Sequence, residues 1–226
     1  MRKSTNISLQ MQDAAFAPYA VTIEQDFNEA IERIIALLPV HDVIVSMVHK
    51  AMPDISSPIS GYAPNANTVI VYLDTASPYI KETFGKPFRK TLGHEMHHAK
   101  RWETPGYGRT VFEVLITEGL AQHFEEEVVE ETELVEHFWG LTPEQIAQLT
   151  ERGQAEFDMP LITFGDYYHN RWFLDGSEEE GIPPHAGYAI GYALVGQYLK
   201  AHPDQKASTL VVAPAGNFRA KRVIST

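Results

Sequence analysis

Residues 91–100 read TLGHEMHHAK. Within them lies H-E-x-x-H, formed by His94, Glu95 and His98. On a helix, positions four apart stand about 40° apart around the axis and one turn along it. His94 and His98 can therefore aim both imidazoles at one point. Glu95 is rotated by about 100° from His94. That is too far round for an easy third ligand, yet close enough to reach a water held at the same point. Two metal ligands and one general base is the chemistry this spacing permits. The competing reading is a polar stripe on a solvated helix, so the surrounding sequence has to decide.

The chain has 226 residues and no cysteine. That length suits one domain, and a hydrophobic content of 44% supplies a core. Without cysteine there is no disulfide framework, thiolate ligand or cysteine nucleophile. Any metal must be held by His, Asp or Glu. A net charge of −12 argues against nucleic acid and against an anionic membrane surface as partner. The first twenty residues contain two basic residues but no apolar leader core, so no signal peptide is expected. The longest apolar runs are too short to span a bilayer. A cytoplasmic protein is the default.

The helix bearing the motif is expected over 87–101, opened by Pro87. Upstream, residues 22–38 repeat apolar side chains at helical spacing through Ile23, Phe27, Ile31, Ile34 and Leu38. HDVIVSMVHK (41–50) and NTVIVYLD (67–74) read as strands, with a turn-rich stretch between them containing Pro53, Pro58, Gly61 and Pro64. Downstream, helices are expected over 109–130, from Thr142 to about Phe157, briefly near 166–173, and over 187–202. Thr142-Pro143-Glu144-Gln145 has the form of a capping box with proline in the first turn. Segment 204–226 fits helix or strand equally. The fold class is α+β: a small N-terminal sheet with the motif helix, then a mostly helical part. One domain is expected over 1–226, with subdomains of about 1–104 and 105–226 and a cleft between them as the natural binding site.

A catalytic zinc site uses three protein ligands and keeps one open position. Glu118 lies 20 residues after His98, in LITEGLAQHFEEE. A helix, a loop at Pro105-Gly106 and a second helix would return it beside the first. Its apolar neighbours suggest an inward face, and Gly119 allows close helix packing. H-E-x-x-H followed at this distance by a glutamate resembles the gluzincin pattern. More closely, TLGHEMHHAKRW, then TEGLAQHFE, then GYAIGYALVGQYL resembles the YjaZ-like predicted zinc proteases over residues 60–200. The resemblance implies a zincin-like fold, a single Zn2+ on His94, His98 and Glu118, Glu95 as base, and a peptide or protein substrate. One departure stands out. Where thermolysin-like enzymes place a carboxylate that orients a ligand histidine, one turn past the ligand glutamate, this chain has Gln122, which carries no charge.

Hydrolysis of an amide develops an oxyanion, which a nearby donor stabilises. The candidates are Tyr188, then His185, with Tyr192 one turn further along the same face. His97 and Arg101 are expected to be structural or exposed, and His123 to pack. The resemblance also implies substrate binding along an edge strand, for which 67–74 is the candidate if it has a free edge. The alternative function is a metal-stabilised, non-catalytic binding protein. Two further readings remain: a metal-free interaction domain using an acidic face at 125–136, and a hydrolase acting on a small amide. Oligomeric state is not legible.

Overall fold

A computed structural model describes residues 6–52, 58–131 and 139–219. The chain divides into two compact units. The first takes Met1–Thr104, Phe124–Thr132 and Ala207–Val211, and the second takes Pro105–His123, Glu133–Lys206 and Val212–Thr226. The fold is α+β.

In the first unit β1 (Ile7–Met11) leads through α1 (Ala20–Leu37) to β2 (Val43–His49), which runs parallel to β1. Then β3 (Ile59–Asn65) turns back into β4 (Thr68–Leu73). The sheet order is β1-β2-β4-β3, with only the β3–β4 pair antiparallel. Alternate residues Val43, Val45 and Met47 of β2 and Val69, Val71 and Leu73 of β4 are buried, while Ile44 and Val48 on the opposite face are exposed. That is the period-two pattern of a half-buried sheet. The buried stripe of α1 runs through Ile23, Phe27, Ala30 and Ile34, at helical spacing.

Two sequence expectations need correction here. The stretch read as turn-rich contains β3, whose prolines and glycine hid a strand. Residues 53–57 of that stretch lie outside the described residues. The strand read at 67–74 is internal, paired on both sides by β2 and β3. Among the described residues the sheet ends in β1 on one side and β3 on the other, and β3 tolerates Pro64 because an edge strand need not donate outward. β1 had no reading in the sequence at all.

The helix carrying the motif is α2 (Lys86–Glu103). It begins after Gly85, whose amide donates to Asp26 Oδ2 at 2.6 Å. Among its buried residues are Glu95, His97, His98 and Arg101, so the solvated-stripe reading fails. His97 Nε2–H donates to the Ala207 carbonyl at 3.4 Å, and Arg101 donates to that of Val211 at 2.8 Å. With Ser208 donating to Glu127 from both its amide (3.2 Å) and its hydroxyl (2.6 Å), they stitch α7 (Ala207–Leu210) into this unit. His97 is fully buried, which holds its pKa well below the usual histidine value.

One unbroken helix, α3 (Val111–Val129), supplies residues to both units. The second unit adds α4 (Pro143–Gly153), α5 (Tyr167–Phe173) and α6 (Ala186–Ala201). Thr142 and Gln145 form both hydrogen bonds of the capping box. Within this unit α3 and α6 cross at glycines: a Cβ on Gly119 would overlap the Gly191 carbonyl oxygen, and one on Gly191 the Leu115 carbonyl oxygen. Between 204 and 219 the chain forms α7 and a short 3-10 turn, Ala215–Phe218. Part of the acidic stretch 125–136, residues 132–136, lies outside the described residues.

Candidate metal centre

His94 and His98 point from one face of α2, as their four-residue spacing requires. Their rings meet edge to face, with Nε2 atoms 2.9 Å apart. Glu118, from α3, joins them: the ligand-capable atoms of all three side chains lie within 4.8 Å of one another. Glu118 is 2% exposed. Two imidazoles and a carboxylate form a nitrogen and oxygen donor set that suits zinc.

Each of two prospective ligands is also held from behind. His94 Nδ1 lies 2.6 Å from Glu125 Oε1. An ionised carboxylate only accepts, so Nδ1–H donates and the Nε2 lone pair of His94 faces inward. His98 Nε2 lies beside that lone pair, at a separation that lets both nitrogens face one ion. On the other side the Tyr107 hydroxyl donates to Glu118 Oε1. Thr117 Oγ1 in turn donates to the Tyr107 carbonyl at 2.6 Å, pinning the loop that presents the phenol. Tautomer and carboxylate orientation are both set by neighbours, as metal ligands require. The residues present fit a zinc ion.

Glu95 is 6% exposed and lies under the edge strand. A Cβ on Gly61 of β3 would sit 2.6 Å from Glu95 Oε1 and 2.7 Å from its Cδ. Gly61 is therefore the space that Glu95 occupies. Further along, Trp102 Nε1 donates to the Ala63 carbonyl at 2.7 Å, tying β3 to the last turn of α2.

The sequence-named tyrosine and histidine lie at the start of α6. His185, at φ 62°, is the residue before the helix. Its Nδ1–H donates to the Phe173 carbonyl at 3.0 Å. Tyr188 packs against Trp139, Phe173 and His185. Tyr192 is buried and stacks on His123 at 4.1 Å, with His123 Nε2–H donating to the Tyr192 carbonyl at 3.0 Å. His123 thus packs.

Three residues near the centre escaped the sequence reading. Glu125 opens a run of five glutamates and two valines, 125–131, with nothing to single it out. Tyr107 is in a Gly-rich loop. His169 on α5 is buried between Phe164 and Phe173, and its Nδ1 has no partner among the described residues. Burial lowers its pKa, and the Glu118 and Asp166 carboxylates oppose that shift.

The family described as "Predicted Zn-dependent protease (DUF2268)" matches residues 23–220. No curated protein and no solved structure matches the chain. Because the match runs through every element that carries His94, His98 and Glu118, from α1 to the last 3-10 turn, the chain belongs to this family of predicted zinc-dependent proteases.

Proposed function

We propose that this protein is a zinc-dependent peptide hydrolase of gluzincin type, a single zincin-like domain with its subdomains divided near residue 105. His94, His98 and Glu118 are the ligands and Glu95 the general base. The observation that carries this reading is the convergence of the three ligand side chains, with Glu95 buried beside them on α2. A bound zinc would supply Lewis acidity toward a scissile carbonyl and make water nucleophilic near neutral pH.

The chain's own residues supply the rest. Glu95 takes the proton of the attacking water and passes it to the departing amide nitrogen. Its burial beneath Gly61 fixes the carboxylate in one direction, which a proton carrier needs. The outer edge of β3, which pairs with no strand among the described residues, can accept an extended peptide through main-chain hydrogen bonds, which favours a peptide substrate over a small amide. Tyr188 is the assigned donor to the developing oxyanion. His185 ranks second because its Nδ1–H is already engaged with the Phe173 carbonyl.

Metal analysis combined with a quenched peptide library tests the assignment. Wild-type protein is expected to carry one zinc and to cleave. Glu95→Gln should retain the zinc and lose about 10²–10⁴-fold in turnover, and Glu118→Ala should lose the zinc. Tyr188→Phe should lower turnover at unchanged zinc content. Zinc loss in Glu95→Gln would make Glu95 a ligand. Stoichiometric zinc with no cleavage of any peptide would favour the binding-protein alternative.

A further inference from the structure

Glu125 offers its two oxygens to two different residues of α2. Oε1 lies 2.6 Å from His94 Nδ1, and Oε2 lies 3.8 Å from Lys90 Nζ. The Lys90, Glu125 and His94 side chains are 9%, 13% and 16% exposed. Lys90 and His94 are four apart, so they stand on one face of α2 with the carboxylate bridging them. Buried charges are costly unless paired. Here the shorter contact, with hydrogen-bond geometry, goes to the imidazole. The ammonium is a more distant anchor.

The position one turn past Glu118 is Gln122, a neutral amide. Glu125 lies seven residues past Glu118, which returns it to within about 20° of the same stripe of α3, some 10 Å further along. A single helix therefore carries both a prospective metal ligand and, two turns on, a carboxylate aimed at the back of another. We propose that Glu125 is a positioning residue for the metal centre. It holds His94 in the tautomer that presents Nε2, and Lys90 tethers it from the other oxygen.

This inference rests on the metal assignment above, and its test is independent of catalysis. Zinc affinity is measured on the full chain by competition with a chromophoric chelator, for wild type, Glu125→Gln, Glu125→Asp and Lys90→Met, each checked for folding by circular dichroism. Glu125→Gln keeps the shape but removes the charge. It should bind zinc about 10–100-fold more weakly while still saturating at one equivalent. Glu125→Asp should recover part of that loss. Lys90→Met should weaken binding in the same direction by less, and it keeps the test open if the Gln variant fails to fold. Substituted Co2+ should show an altered d–d spectrum in Glu125→Gln, a signature that simple loss of a structural ion pair does not produce. Wild-type affinity in folded Glu125→Gln and Lys90→Met would overturn this inference alone. A wild-type chain that takes up no zinc would overturn both it and the metal assignment.

Discussion

Glu95 has the clearest dependence on a single neighbour. Its side chain fills the place where any other residue at 61 would put a Cβ. Gly61→Ala is therefore expected to push the Glu95 carboxylate aside while leaving His94, His98 and Glu118 untouched. The predicted outcome is full zinc content with kcat/KM reduced by about 10²-fold, the scale of an ångström-sized misplacement. Metal analysis beside steady-state kinetics would check it, and unchanged kinetics would mean the base tolerates displacement. The three side chains that come together, His94, His98 and Glu118, could be named from the sequence because local spacing and an apolar setting mark them. Glu125 and Tyr107 could not. Their importance is that of an acceptor behind a ring and a donor behind a carboxylate, and no linear pattern encodes those contacts.

At the level of elements, helical period and capping chemistry are visible in the chain. The stripe on α1, the proline opening α2 and the capping box at Thr142 are all local signals, and each helix expected before residue 204 falls within a few residues of its place. Strands were less legible. β3 carries Gly61 and Pro64, which suit an edge and read as a turn. Which strands lie at the edges depends on β2 pairing with both β1 and β4, which no local pattern encodes. The same holds for the contact of α3 with α6, where two glycines let the backbones touch. Gly191→Ala must force that crossing apart, since its Cβ would lie 3.0 Å from the Leu115 carbonyl carbon and 3.2 Å from Gly119 N. The expected loss of stability is about 1–3 kcal/mol, measured by urea unfolding. An unchanged unfolding midpoint would show that the helices can separate at no cost.

Across the whole molecule, paired and hydrogen-bonded carboxylates contribute to the response to acid. Arg171 donates to Glu180 and to Glu156, at 2.9 and 3.0 Å for the latter, and Arg152 reaches Glu180 at 2.7 Å. Hydrogen bonding to Arg171 is the chief reason the Glu180 pKa is lowered to about 2. Asp166 is also depressed: burial pulls it upward, but the amides of His169, Ile162 and Thr163 outweigh that. A depressed folded pKa means the unfolded chain binds the proton first, so the contribution of Glu180 to stability is intact above about 4.5 and is lost as pH falls toward 2. Thermal unfolding of Glu180→Gln should therefore lie below wild type at neutral pH and merge with it near pH 2, whereas a constant gap would remove Glu180 from the acid response. No helix among the described residues is long and apolar enough to cross a membrane.

What the chain declared by itself was everything that depends on near neighbours: the helices, the α+β class, and two imidazoles one turn apart on a single helix face. Periodicity and caps are short-range, so they survive in one dimension. The tertiary structure alone decided which strands lie at the edges of the sheet, what buries Glu95, and which carboxylate stands behind His94. The last two are contacts between residues 34 and 31 apart in the chain, and packing selects them rather than any local preference.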